Sequence, residues 1–545
     1  MRNSCCTLCT LFLTASLTLV PARAMAQQDH DHAHAVPEKL GRVLFSTSCK
    51  PEVRQAFGRG LALLHSFAYE EAADTFAEVA AQDPGCAMAQ WGIAMSHFQT
   101  IWGPPTESGF AAGRAAAQKA VAAGAASARE RDYMAAIGAF YQGEGVPHPA
   151  RVVTYERAMA GVAERNPGDH EAAIFHALAI LGVAYNSPPD KTYARQKQAA
   201  EILNRLLPLE PEHPGIAHYM IHSFDYPGLA ELALPAARAY ARIAPSAPHA
   251  LHMPSHIFTR LGMWQESIDS NLASAETGQA WVDKTHPGAT SRDAMHAMDY
   301  LEYAYIQTGR DAKAREVVEK VVKAAGFDVP NFSVGYALAA VPARYALERR
   351  AWKEAAALAA GPADFPWEKA PYAEAIVHFA RAVGGARSGE LETARRAVAR
   401  LAEIQAGLQG QKGFDWAAQV EIQRRAAAGW LARAEKKDDE ALALVRSAAD
   451  LEDSTDKHPV TPGSILPARE QLADLLLELG QPAAALAEYE ASLRSAPARF
   501  NTYDGAARAA ASAGQTQKAK TFRDQLVALC GGSVPARAAP AKATD

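Results

Sequence analysis

Three observations predict an all-α fold, a solenoid of antiparallel helix pairs. Helical periodicity and an Ala-rich composition persist from about Pro51 to Leu529, with no stretch of strand-like alternation. Short turns containing Gly, Pro, Asp or Asn interrupt the pattern at intervals of roughly 33–45 residues. The same internal offsets return between the breaks, in Ala72…Phe76…Val79…Pro84, Tyr155…Met159…Val162…Pro167, Ala199…Leu203…Leu206…Pro211 and Ala236…Tyr240…Ile243…Pro248. Self-similarity at such a period marks units that bury their apolar faces only by stacking on neighbours. The length accommodates about eleven or twelve helix pairs.

Taken in chain order, residues 1–26 read as a secretory signal: Arg2 is the positive start, Leu8 to Val20 the apolar stretch, and Ala24-Met25-Ala26 the small-residue cleavage site. Leu8–Val20 is short for a membrane span, and no later segment offers about 20 uninterrupted apolar residues. The expectation is therefore an exported chain, periplasmic or secreted and free of the membrane once the signal is cleaved, with a retained anchor as the alternative. Residues 27–50 read as a flexible segment carrying Asp29-His30-Asp31-His32-Ala33-His34, either a weak metal-capturing tail or a solvated linker. Repeats fill 51–531, and 532–545 reads as a disordered Pro/Ala-rich tail. Formal charge is −5 and no basic stripe occurs, which argues against nucleic acid as a partner.

The central repeats, 212–305, are rich in histidine. His218 and His222, between Pro214 and Phe224, recur 34 residues later as His252 and His256, between Pro248 and Phe258. A spacing of four puts two imidazoles on one helix face, which suits a shared ion. His249 extends the second pair. Measured back from the turn at Gly262, the second set lies 13, 10 and 6 residues away; the same distances from Gly309 give His296, Asp299 and Tyr303. Candidate ligands are thus His218, His222, His249, His252, His256 and His296. Asp225 offers a further oxygen or a carboxylate that fixes a histidine tautomer. Pro254 lacks an amide hydrogen and is expected to kink or restart its helix, which would leave His249 and His252 in a loop. The competing interpretation is a set of packed histidines stacked on Tyr219, Phe224, Phe258 and Tyr300. His65 and His97 read as structural, and His148, His286 and His458, each preceding Pro in a turn, as loop residues. Imidazole with carboxylate suits zinc first; Met253, Met263, Met295 and Met298 make copper the second choice. No His-Glu-x-x-His, Gly-x-Ser-x-Gly, phosphate-binding loop or dinucleotide fingerprint is present.

The offset grammar resembles the tetratricopeptide repeat, and the stretch HPGIAHYMIHSFDYPGLA with its partner around APHALHMPSHIF resembles a group of exported bacterial tetratricopeptide proteins. The resemblance covers about 51–530. It implies that the first helices of successive repeats line a concave groove, and hence that the histidines converge there. It also places Cys49 and Cys86 at one end of the first hairpin, where they form a disulfide or remain two free thiols, with Cys530 unpaired. The resemblance supplies a fold and a compartment but no reaction. Three functions stay open: a metal-binding solenoid, a metal-dependent hydrolase or oxidase with Asp225, Asp299 or Tyr303 as acid/base, and a metal-free scaffold gripping a protein or peptide in the groove.

Overall fold

A computed structural model describes residues 38–124, 126–411 and 413–537. The expected signal, the His30–His34 tract and residues 538–545 lie outside the described residues. Among the described residues from 39 to 537 the chain is all-α, running from the helix Arg54–His65 to the helix Thr516–Leu529, with consecutive helices packed as antiparallel pairs. Taking the two halves of a helix broken at Pro254 as one, the described residues form twelve pairs. The only β feature among the described residues is a single bridge between Thr290 and Phe327.

The recurring apolar positions are what the pairs bury. Ala72, Phe76, Val79, Tyr155, Met159, Val162, Ala199, Leu203 and Tyr240 are all completely inaccessible. Gly92 shows why small residues face them: a Cβ there would stand 2.5 Å from the Phe76 ring. Turns between paired helices need a left-handed residue, and Gly262, Gly309 and Gly480 supply it with φ of 67°, 69° and 71°. Phe67 holds the corresponding place in the first hairpin with φ 57°, at a steric cost glycine would avoid.

Lys39–Lys50, expected to be flexible, is instead packed. Arg42 N donates to Glu212 O (2.9 Å) and Ser246 N to Lys39 O (3.1 Å). The Phe45 ring lies 5.2 Å from Tyr133 and 5.8 Å from Trp91. Two apolar anchors, Leu40 and Phe45, outweigh the polar composition that suggested flexibility. Cys49 and Cys86 are joined as a disulfide, Cα atoms 4.7 Å apart. Of the stretch expected as a disordered tail, Arg537 lies over the Phe500 ring at 3.7 Å and donates to Asp311 (2.8 Å).

Two apolar cores share the array. One gathers residues from Leu40 to Phe258, the other from Trp264 to Ala519. The later repeats also reach back to the central ones: Trp264 Nε1 donates to Ala498 O (2.7 Å), Phe500 N to Gln307 Oε1 (2.9 Å) and Lys457 Nζ to Asp225 Oδ2 (2.9 Å). The histidine-rich helices lie at the seam between the cores.

Candidate metal centre

Proline starts both histidine helices. Pro214 opens Pro214–Phe224, whose every residue is buried, and Pro248 opens Pro248–His252. Pro254 then restarts the chain as Pro254–Arg260, with Met253 helical between them (φ −54°, ψ −34°) and a tight His256 N to Met253 O bond of 3.2 Å. His249 and His252 are therefore helical rather than in a loop. The third contributor is Arg292–Gln307, capped by Ser291, which accepts from Ala294 N (3.3 Å).

The six imidazoles form two groups of three. His218, His222 and His249 make one, and His252, His256 and His296 the other; within each, one ring nitrogen from every member lies within 4.8 Å of the others. Four of the rings are almost fully withdrawn from solvent: His218 is 0% exposed, His252 2%, His222 and His256 3%.

Hydrogen bonding fixes which nitrogens carry protons. Asn271 Nδ2 donates to Ser267 O (2.7 Å), so its Oδ1 can only accept, and His252 Nδ1–H donates to it at 2.7 Å. His256 Nδ1–H donates to Asp225 Oδ2 (3.0 Å). A neutral imidazole has one N–H, so both Nε2 atoms carry lone pairs, yet they face each other at 3.0 Å. In the first group, His218 Nδ1–H donates to the His65 carbonyl (2.7 Å), leaving its Nε2 as a lone pair with His222 Nε2 at 3.1 Å and His249 Nε2 at 3.0 Å. Imidazoles bound tetrahedrally to one ion stand about 3.3 Å apart, N to N, at metal–nitrogen distances of about 2.0–2.1 Å.

Burial, then the neighbouring rings, pushes His218, His222, His249, His252 and His296 well below the ordinary histidine range. Neutral imidazole is the metal-binding form. Burial alone would raise the Asp225 carboxyl; Lys457, Arg260 and His256 together hold it well below the usual carboxylate range. Arg260 Nε donates to Asp225 Oδ1 (2.8 Å) and Lys457 Nζ to Oδ2 (2.9 Å). Asp225 is thus an anion that orients His256 rather than a ligand in either group.

Aromatic rings wall the first group. Phe67, the left-handed residue, lies 4.3 Å from His218, 5.5 Å from His222 and 5.7 Å from His249. Strain of this kind concentrates at functional sites. Beneath it, His65 and His213 both bond Glu171 (3.0 and 2.9 Å), and Tyr219 bonds His65 (2.8 Å). Glu171 occupies one nitrogen of each ring, and the arrangement holds the carbonyl that sets the His218 tautomer. His65 therefore does more than fill a helix face.

Asp299 and Tyr303 lie elsewhere. Arg344 Nη1 donates to Asp299 Oδ1 (2.9 Å), and Arg499 Nη1 donates to Tyr303 Oη (2.5 Å), in a buried network with Glu302, Glu348 and Glu470. The repeat-derived equivalence fails because Pro254 breaks the preceding helix, whereas Arg292–Gln307 is continuous. Its face toward the histidines is His296 and Tyr300, one turn apart, with Tyr300 Oη 3.2 Å from His256 Nδ1. Asn271, Tyr300, Phe67, Tyr185 and Lys457 complete the surroundings. The first two were within reach of spacing arguments; Lys457, 232 residues from Asp225, carried no local signal.

Lys457 also lines a small cavity of about 40 Å³, together with Tyr336, Tyr372, Trp416, Gln419 and His458. His458, expected as a loop residue, stacks on Trp416 (5.2 Å) and lies tilted against Phe332 (4.3 Å).

No family model matches the chain, and no curated protein matches it. Among solved structures, the APC/C hetero-tetramer Cut9-Hcn1 is similar at 12% identity and a TM-score of 0.34, covering 85% of this chain and 77% of that one. A monomeric IFIT1 mutant with Gppp-AAAA is similar at 12% identity and a TM-score of 0.37, covering 81% and 90%. Overlap this loose adds nothing to the helix pairing already visible, and the site must be interpreted from its own atoms.

Proposed function

We propose that this chain is an exported metalloprotein whose tetratricopeptide-like scaffold binds a transition-metal ion, zinc or copper, at the histidine cluster of its central repeats. The observation that carries this reading is the pair of unprotonated Nε2 atoms of His252 and His256, 3.0 Å apart. Their Nδ1 protons are committed to Asn271 and Asp225. Two lone pairs so close in a buried site repel unless a cation lies between them, and His296 supplies a third imidazole. Elemental analysis of the purified protein tests this. About one equivalent or more of bound transition metal is expected, falling by about one equivalent in His252→Gln/His256→Gln. A metal content equal to that of the parent in this variant would show the ligands to be wrongly assigned. Export rests on residues 1–26, and a mature protein beginning at Gln27 is the expected result of N-terminal sequencing.

A second reading, a metal-dependent enzyme of the hydrolase or oxidase class, is favoured by one observation. Three protein ligands leave a tetrahedral ion one open position, and Lys457 links the neighbouring cavity through Asp225 to His256. Cobalt-substituted protein should change its visible spectrum on adding azide; an unaltered spectrum would mean the fourth position is closed. Docking of a peptide onto the histidine face itself is disfavoured, since four of the six rings are buried.

A further inference from the structure

The first group of histidines has its own unsatisfied chemistry. His218 Nε2 has one in-plane lone pair, and two other ring nitrogens press on it at 3.0 and 3.1 Å. A hydrogen bond from His222 or from His249 can satisfy one of those contacts and leaves the other opposed. A cation satisfies all three rings together. The His218 tautomer is imposed, because the acceptor for its Nδ1–H is a backbone carbonyl, held in place by the His65–Glu171–His213 arrangement. The two groups also adjoin: the rings of His249 and His252 have centroids 6.4 Å apart, on the single turn between Pro248 and Pro254.

We infer that His218, His222 and His249 hold a second metal ion, making the centre dinuclear, and that both positions take copper. This rests on the metal-binding reading above and extends it.

The choice of metal follows from charge. All six donors are neutral nitrogens. The carboxylate in contact with the site, Asp225, is already engaged by Lys457, Arg260 and His256. Neither group therefore offers a ligand that compensates a metal charge, and two cations placed side by side repel. Two monovalent ions repel with roughly a quarter of the energy of two divalent ones at the same separation. Copper is the imidazole-binding metal with an accessible monovalent state, and as the divalent ion it also heads the affinity order for nitrogen sites.

The test counts ions. Full-length protein is loaded anaerobically with Cu(I), desalted and analysed for copper and protein, alongside His249→Gln and His296→Gln, one from each group. His249 and His296 are the least buried of the six, and circular dichroism with thermal unfolding confirms that each variant is folded. About two equivalents in the parent and about one in each variant are expected. One equivalent in the parent, unchanged by His249→Gln, overturns the second site while leaving the metal-binding reading intact. No metal in the parent overturns both. Loss of both equivalents in either variant overturns the assignment of one ion to each group. Uptake of zinc instead, when zinc and copper are offered together in equal amounts, overturns the choice of copper.

Discussion

His256 donates its Nδ1 proton to Asp225 across 3.0 Å, although 31 residues separate them. Asp225 follows the last residue of Pro214–Phe224, and His256 lies one turn into the helix restarted by Pro254. The bond therefore ties the two histidine helices together and fixes the nitrogen that His256 presents.

Asp225→Asn should be costly in two separable ways. Loss of the orienting carboxylate should weaken metal binding by about 10–100-fold, read by competition with a chromophoric chelator. Loss of the anion leaves Lys457 and Arg260 buried without their partner, and the metal-free variant should be less stable by about 3–5 kcal/mol in urea titration. Unaltered values on both counts would remove Asp225 from the site.

Phe67 should be one of the few positions where glycine is better tolerated than alanine. Both substitutions forfeit the ring against His218, a loss of about 3–5 kcal/mol. Only glycine also escapes the left-handed penalty at φ 57°. Phe67→Gly is expected to be more stable than Phe67→Ala by about 1–2 kcal/mol. Equal stabilities in urea would mean that the turn relaxes without cost.

His458 should make the fold acid-sensitive. Burial, then Lys457, pulls its pKa down to about 3, below the value in an unfolded chain. Its Nδ1 accepts from Val460 N (3.2 Å), a bond that protonation destroys. The unfolded state thus binds the proton first, so stability is full above about pH 6.5 and declines as pH falls toward 3. His458→Phe, which keeps a ring against Trp416 and Phe332, should show a shallower loss of urea midpoint between about pH 6 and pH 4. Parallel curves would assign the acid sensitivity to other groups.

The Cys49–Cys86 bridge closes a span of 37 residues, so chain-entropy arguments give it about 3–4 kcal/mol. Replacing both cysteines with alanine should lower stability by that amount; alkylation of the folded region without reductant should label Cys530 alone. Labelling of all three would show that the bridge does not form.

The array and all six imidazoles were legible in the sequence because both obey short-range rules. Helix period places His218 with His222, and the 34-residue recurrence carries that pair to His252 and His256. What spacing could not convey was the division into two groups, which depends on the tight turn at Pro254. For the same reason back-measured offsets selected Asp299 and Tyr303, whose helix has no such break, and passed over Tyr300. Lys457 and Phe67 were out of reach: each meets the site through packing between distant repeats, where no periodicity connects the partners. Lys39–Lys50 was misjudged because two anchoring side chains decided its fate rather than its average polarity.

The seam between the two apolar cores has a consequence for how the molecule melts. His218, His222, His249, His252 and His256 belong to one side of that seam and His296 to the other, so an ion shared across it acts as a rivet. Calorimetry of chelator-treated protein should resolve two heat-absorption peaks, one for each half. Restoring the metal should fuse them into one at higher temperature, since neither half can then come apart without releasing what it shares with the other.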